Sequence, residues 1–306
     1  MSLHALTRRL PDRAVARQVA LVSALLALTA LWQHAVRAAT RALVPAVPVE
    51  SVLGSGLLSA VLFLSGLVLL ASAYVSYRGV TVGLRRPSPP DRLGLLLAIV
   101  GPVVLVGLTA VVGTLTSVPY GALAMIQYGS VATLRPILAI AGLGVLVTVP
   151  GLLVVCQVFV QTPLREAVGG RGAVVATTLV AGVALVSDTG GLAVAPAPGR
   201  LAAVVVLALF VGGGALANAR LDGERGRAFV ALLVLAGGAL VVTSALLDVG
   251  SLAGVAYVLA RLGVLAIAAS TYERADSLLP PALAYLAFSL AEFSVLLAGA
   301  GGPAPF

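Results

Sequence analysis

Ionisable side chains are scarce in the apolar segments of this chain, so each one is a candidate for chemistry. Charges inside a bilayer are costly and usually face the interior of a helical bundle. Glu292 lies deepest and follows Ser289 by three residues, which places both side chains on one helical face. This pattern predicts either a proton or cation site, or a carboxylate that bonds to a neighbouring helix or reaches an aqueous rim. The other polar residues within or at the ends of apolar segments are Gln157, Asp248, Arg261, Glu273 and Arg274.

Residues suited to metal or nucleophilic catalysis are nearly absent. The two histidines are His4, in the N-terminal arm, and His34, near the end of the first apolar segment. Catalytic metal sites need about three protein ligands around an open position, and the apolar segments offer no such set. A serine nucleophile would lack an intramembrane histidine or lysine base, and no glycine-rich phosphate loop precedes a helix. The sequence therefore predicts no metal and no other cofactor. Arg261 and Asp248, on two different segments, are a candidate structural pair.

The composition predicts that lipid, and not water, surrounds most of this chain. Hydrophobic residues make up 60% of the chain and charged residues 10%, whereas soluble domains carry about 25% charged residues. So few charges cannot coat a water-soluble fold. In lipid, backbone groups must pair internally, which permits helical bundles or closed barrels. The apolar runs show no polar alternation, so they indicate helices. The lone Cys156 excludes an internal disulfide.

The apolar runs divide the chain into membrane-spanning segments. They predict an all-α, polytopic transmembrane bundle of about nine helices in the cell membrane. Trp32, His34 and Arg37 close the first run without a small-residue cleavage site, so we expect a retained helix and not a signal peptide. The glycine- and proline-rich loop at 189–199 is expected to be solvent-exposed. The segments lie at residues 18–36, 52–76, 93–115, 134–160, 172–187, 200–218, 227–247, 251–271 and 278–299.

The arginines predict the orientation of the bundle. The chain has 19 basic residues and a net charge of +8, and all of them are arginines. With the N-terminus in the cytoplasm, most arginines fall in cytoplasmic segments, as the positive-inside rule requires. Their charge belongs to loops of a membrane protein, so no nucleic-acid partner is predicted. The cytoplasmic arginines would be Arg8, Arg9, Arg13, Arg17, Arg78, Arg85, Arg86, Arg92, Arg165, Arg171, Arg220, Arg225, Arg227 and Arg274, against Arg37, Arg41, Arg135 and Arg200 outside.

Two stretches of the sequence resemble a known family. One runs from Pro150-Gly151 through Gln161 and continues with Leu164-Arg165-Glu166-Ala167 and Gly169. The other is Tyr272-Glu273-Arg274 followed by Ser277-Leu278-Leu279 and Pro281-Ala282-Leu283. Together they resemble the CAAX-processing and bacteriocin-processing (CPBP) family of intramembrane metalloproteases. Its members typically contain P-G-E-E-L-L-F-R-G-V-x-Q, then L-R-E-x-x-G, and later Y-E-R-T-x-N-L-x-x-P-x-L-x-H-x-x-x-N. The resemblance covers about residues 75–299.

The departures from the family pattern decide what the resemblance implies. In the family, two glutamates, an arginine, two histidines and an asparagine are thought to bind metal and activate water. Leucine offers neither a lone pair nor a charge, so losing all these groups removes the site. The resemblance thus implies a degenerate member that is not a protease. The substituted positions are Leu152 and Leu153 for the glutamates, Gln157 for the arginine, Leu185 and Tyr285 for the histidines, and Ser289 for the asparagine.

The sequence therefore favours a membrane protein that acts by binding. Residues 1–76 would form an N-terminal arm and two transmembrane helices, and residues 77–306 a CPBP-like helical domain. The expected partners are membrane lipids, a lipidated peptide or another membrane protein. Two alternatives stay open: an enzyme that uses unfamiliar residues, and a secondary transporter or channel-like protein. Pro150-Gly151 is either a helix break of the transporter kind or a turn ahead of a helix, as the family resemblance implies. Residues 201–250 would be either an inserted helix pair or a worn copy of a family motif.

Overall fold

The fold of the described residues is helical. The computed structural model describes residues 10–43, 52–80, 83, 92–124, 134–187, 191–206 and 251–300. Within these ranges there is no β-strand, and the only bridge pairs Val186 with Leu192. Because backbone groups in lipid must be satisfied within each segment, apolar runs of this length fold as helices. The all-α prediction is confirmed for these residues.

Eight α-helices and one π-helical stretch follow one another along the described chain. Residues 198–206 are helical as well. The elements are α1 (Leu10–Leu43), α2 (Val52–Arg78), α3 (Arg92–Leu115), the short α4 (Tyr120–Ala124), α5 (Leu134–Leu152), the π-helix (Leu153–Gln161), α6 (Thr162–Leu185), α7 (Leu252–Ala275) and α8 (Leu279–Ala300).

Six helical stretches of the described residues are long and apolar enough to cross a membrane. The predicted count of nine stays a prediction, because the segment at 227–247 and most of the one at 200–218 lie outside the described residues. The cytoplasmic position of the N-terminus also stays a prediction. The six stretches are Val15–Leu43, Leu53–Arg78, Arg92–Leu115, Ile137–Leu185, Leu252–Ala275 and Leu279–Gly299.

The fourth stretch is interrupted by Gly169. Its 49 residues would extend about 74 Å as one helix at 1.5 Å per residue, more than twice the roughly 30 Å hydrocarbon core. Gly169 has φ 74° and ψ 170°, a backbone conformation that is essentially restricted to glycine. The break lies between the two predicted segments at 134–160 and 172–187. The chain is instead continuous through Pro150 and Gly151, so the break suggested there is wrong.

Helix α7 is the most deeply packed span. More than half of its most apolar window is buried (56%), against 28% or less in the other spans. It packs against α3, α6 and α8, and α3 and α8 also pack against each other. Glycines permit close approach at these contacts: a side chain at Gly263 would overlap Leu105 of α3, and one at Gly182 would overlap Leu262. Arg261 and Thr271, two polar residues of α7, are therefore surrounded by protein.

The predicted topology can be tested by thiol labelling. On a Cys156→Ser background, we expect Ser88→Cys to react with a membrane-impermeant reagent from the cytoplasmic side. Ala197→Cys, at an exposed position, is expected to react from the outer side. The two loops are separated by an odd number of predicted crossings, which gives this difference. Labelling of both from the same side would contradict the nine-helix arrangement.

Candidate functional site

One face of α8 carries the polar groups that meet in the bundle interior. Tyr285, Phe288 and Glu292 recur at helical spacing, so their side chains share a stripe. Tyr285 and Phe288 are buried, and the Glu292 side chain is 23% exposed. Ser289, which we predicted to share a face with Glu292, is half-buried. The stripe makes two separate polar contacts, one at Glu292 and one at Tyr285.

The contact at Glu292 is an ion pair with Arg261 of α7. The Arg261 side chain is fully buried, and its Nη2 lies against Glu292 Oε1. The same nitrogen donates to the Tyr120 hydroxyl at 3.2 Å, and Nη1 donates to the Tyr257 carbonyl at 3.2 Å. The guanidinium carbon lies 3.1 Å from the ring centroid of Tyr257 and 5.1 Å from that of Phe288. Arg261 is thus held by a carboxylate, two oxygens and aromatic faces.

Glu292 receives two further hydrogen bonds on the same oxygen. The hydroxyls of Tyr257 and Tyr120 donate to Oε1 at 3.2 Å and 3.4 Å. Tyr120 begins the short α4, outside the membrane-spanning stretches. Burial raises the pKa of Tyr120 to about 12, so its hydroxyl stays protonated at neutral pH and can donate. The ion pair therefore ties α7, α8 and α4 together.

Both charged residues are candidates from the sequence, but their pairing is not predicted by it. Arg261 lies about 14 Å from the start of α7, and Glu292 about 12 Å from the end of α8, at 1.5 Å per residue. The helices run in opposite directions through a short connection, so these depths match. Asp248, the other suggested partner of Arg261, lies outside the described residues. The i, i+3, i+7 stripe on α8 was the available signal, because it aims Glu292 at the same neighbours as Tyr285 and Phe288.

The contact at Tyr285 involves the positions that differ from the CPBP pattern. Gln157 Nε2 donates to the Tyr285 hydroxyl at 3.2 Å, and both side chains are fully buried. Leu152 and Leu185 are also fully buried and belong to the same core. Leu153 is half-buried. The structure therefore brings Gln157 and Tyr285 into direct contact and places both fully buried leucines inside the bundle.

The π-helix shapes the backbone around Gln157. The carbonyl of Gln157 accepts from the Thr162 amide and from the Thr162 hydroxyl at 2.9 Å, a spacing of five residues. Gln161, one turn on, donates through Nε2 to the Ala269 carbonyl of α7 at 2.9 Å. Such wide turns are rare and often lie at functional sites. The apolar sequence Leu153–Gln161 contains no glycine or proline that could have predicted one.

Charged groups at the other end of α7 connect the two family-like stretches. Arg165 of α6 pairs with Glu273 at 3.2 Å and with Asp276 at 2.8 Å. Its neighbour Glu166 pairs with Arg78 of α2. These side chains are partly exposed, so each pair contributes about 0–1 kcal/mol. These ion pairs contribute mainly to the relative positions of α2, α6 and the connection after α7.

The chain reverses direction inside the bundle after α6. Ser187 donates to the Gly191 carbonyl and Ala193 donates to the Leu185 carbonyl, both at 2.8 Å. Val194 then packs against Gly151, where any side chain would overlap it. Residues 191–196 are half-buried or buried, so the prediction of an exposed loop is wrong for them. Non-helical backbone within the bundle is tolerated where protein surrounds it, and here the amides of Ser187 and Ala193 are paired.

Clefts of several hundred Å³ lie on the surface of the described residues, and two of them bear on binding. One, of about 490 Å³, lies between α1, α2, α5 and the reversed chain; we call it the α1–α2–α5 cleft. Its lining includes Gln33, Arg37 and Ser59 among apolar side chains. The other, of about 560 Å³, is the α3–α8 groove, and apart from Ser294 its side chains are apolar. Of these two clefts, the α1–α2–α5 cleft combines an apolar wall with a charged side chain.

The arrangement defines a class of protein. Among the described residues, no three His, Cys, Asp or Glu side chains lie close enough together to hold a metal ion. A scan against protein-family models finds no match, and searches of curated proteins and of solved structures find no similar protein. The apolar spans and the buried interhelical polar contacts are those of a polytopic helical membrane protein.

Proposed function

We propose that the protein has a CPBP-like architecture without protease activity and acts by binding a membrane lipid. The observation that carries the proposal is the burial of Leu152, Gln157, Leu185 and Tyr285, with the two polar side chains bonded to each other. A hydrolytic centre must admit water to charged or ionisable groups. At these positions the polar groups are satisfied internally and the others are aliphatic.

A contact between the two family-like stretches supports the architecture. Arg165 belongs to the stretch that resembles L-R-E-x-x-G, and Glu273 to the one that resembles Y-E-R. The two residues are more than 100 positions apart and form an ion pair at 3.2 Å. Gly170 packs so closely on Glu273 that a side chain there would overlap the carboxylate. If the two stretches belong to one functional region, they must pack against each other, and this ion pair brings them together.

The clefts support binding as the mode of action. Ligand pockets typically enclose about 300–1,000 Å³ and are largely apolar with a few placed polar groups. The α1–α2–α5 cleft meets both conditions at about 490 Å³. It is bounded by Val194, which contacts Gly151, the residue just before the first substituted position. Lipidated peptides and partner membrane helices share the apolar chemistry of a lipid and are the alternative occupants.

The first test of this proposal is metal content. We expect the purified protein to carry no stoichiometric zinc, because leucine, glutamine and tyrosine replace the family's ligands. Elemental analysis would measure the zinc, and thermal unfolding with and without a chelator would measure its contribution to stability. A structural or catalytic metal normally appears as folding free energy. One tightly bound zinc per chain, with a lower melting temperature after chelation, would overturn the proposal.

A secondary transporter is the second candidate, and Glu292 favours it. Intramembrane carboxylates commonly mark proton or ion pathways, and this one pairs with buried Arg261 while remaining 23% exposed. Transporter sites also use interrupted helices, and the chain has a break at Gly169 and a reversal after α6. Solute-dependent proton movement in proteoliposomes, abolished by Glu292→Gln, would decide for this candidate.

A further inference from the structure

The α1–α2–α5 cleft runs from one end of the bundle toward its middle. On α2 its lining extends from Gly56 to Phe63. At 1.5 Å per residue these positions lie about 6 Å and about 16 Å from the start of the helix. Val147 of α5 and Val194 of the segment that follows α6 form part of the apolar wall of the cleft. The depth and the lining suit a hydrocarbon chain that enters from the interface.

The polar side chains of the cleft suit an anionic headgroup. Arg37 follows directly on the apolar run of α1, is exposed, and forms no ion pair with any residue in the described ranges. Ser59 of α2 lines the same cleft, and Gln33 lies one turn from Arg37 on the same helix. Arginine binds phosphate through two parallel hydrogen bonds, and serine and glutamine add neutral donors.

We propose that this cleft binds an anionic phospholipid, with one acyl chain along the apolar wall and the phosphate at Arg37. The proposal rests on the proposed function of lipid binding and names the ligand class and the place where it binds. The α3–α8 groove has a similar volume but no charged lining residue, so it offers no such headgroup contact. Charge complementarity therefore selects the α1–α2–α5 cleft.

Two pairs of matched variants separate the cleft from the rest of the surface. Gly144 lines the cleft and Gly107 lines the α3–α8 groove. An added Cβ meets no atom within 4 Å at either glycine, so Gly144→Leu and Gly107→Leu each fill one indentation without forcing a clash at Cβ. Arg37→Gln removes the charge at the cleft. Arg41→Gln removes an exposed charge one turn on, outside the cleft lining.

The experiment measures lipid retention by native mass spectrometry after equilibration in mixed phosphatidylglycerol and phosphatidylcholine vesicles. We expect the full-length wild-type protein to retain phosphatidylglycerol in preference to phosphatidylcholine. Arg37→Gln should reduce that preference roughly fivefold, the factor for one arginine at an anionic surface, and Arg41→Gln should not. Gly144→Leu should abolish the retention of phosphatidylglycerol, and Gly107→Leu should leave that retention unchanged. Protection of Cys156 from a thiol reagent verifies that each variant is folded.

The outcomes distinguish this inference from the function on which it rests. If the folded Gly144→Leu variant retains as much phosphatidylglycerol as the wild type, or if only Gly107→Leu loses it, the assignment of the site to the α1–α2–α5 cleft is wrong. Either result would leave the proposal of lipid binding intact. Equal retention of both lipids with no effect of Arg37→Gln would overturn the anionic headgroup. Wild-type protein that retains no lipid from either vesicle component would overturn both the inference and the proposed function.

Discussion

Glu292→Gln is expected to destabilise the protein by about 3–5 kcal/mol, the usual result of removing one partner of a buried ion pair. The guanidinium of Arg261 is fully buried, so the substitution leaves a positive charge without its counter-ion. Its remaining described contacts are neutral oxygens and aromatic rings. Those groups cannot replace a carboxylate in a medium of low dielectric constant. The destabilisation should be accompanied by looser packing of α4, because Tyr120 bonds to both charged groups.

The measurement can use the one cysteine of the chain. Cys156 is fully buried, so its reaction with a thiol-reactive fluorophore reports unfolding in mixed micelles without an engineered cysteine. Glu166→Gln is the matched control, since Glu166 also pairs with an arginine but its side chain is 44% exposed. Its loss should change stability by no more than about 1 kcal/mol. Equal effects of the two substitutions would show that Arg261 is not buried as the structure has it.

A double variant separates the ion pair from a general effect of mutation. Arg261→Met with Glu292→Leu removes both charges and keeps most of the volume. Replacing a whole buried pair with apolar side chains is often neutral or stabilising, so we expect stability near that of the wild type. If Glu292 serves a transport pathway, the double variant should be folded yet inactive in proteoliposomes, whereas a structural pair would leave lipid binding unchanged.

The spans could be predicted from sequence because lipid imposes a local rule. Each span must pair its own backbone groups, so an apolar run fixes a helix without knowledge of its neighbours. The runs at 52–76, 93–115, 251–271 and 278–299 accordingly match α2, α3, α7 and α8 to within a few residues. The predicted fourth run ends at 160, but the helix continues to Gly169, and Arg165 and Glu166 on this extension pair with residues of other helices.

The partners of the polar groups depend on packing, which the sequence does not specify locally. Arg261 could have faced Asp248 or Glu292, and helical spacing alone does not say which helices are neighbours. Tyr120 lies in a connection with no sequence signal that it enters the bundle. The burial of residues 186–187 and 191–194 after α6 is likewise not predicted, because glycine and proline are as frequent in exposed loops as in buried turns. Val194 is half-buried, and Gly151 allows its side chain to approach α5 closely because glycine has no Cβ.

Restoring the family's glutamates, as Leu152→Glu with Leu153→Glu, is expected to destabilise the protein severely. The Leu152 side chain is fully buried in the core, and Leu153 is half-buried. An acidic side chain at mid-helix in a membrane costs about 2.5–3.5 kcal/mol on insertion scales, or is forced to become neutral. No histidine or metal is supplied to pair with it. The Cys156 fluorophore assay would record the loss of stability.

The control for this variant keeps the volume and omits the charge. Leu152→Met with Leu153→Met should cost less than about 1.5 kcal/mol per position, as volume-conserving core substitutions do. The difference in stability between the two double variants measures the cost of burying the two carboxylates, not the disturbance of packing. The glutamate variant should also gain no cleavage of a lipidated peptide, because Leu185 and Tyr285 still stand where the family has histidines. Unchanged stability would mean that water reaches this position. Zinc-dependent cleavage would mean that the other ligands are present, and either result would refute the binding-only proposal.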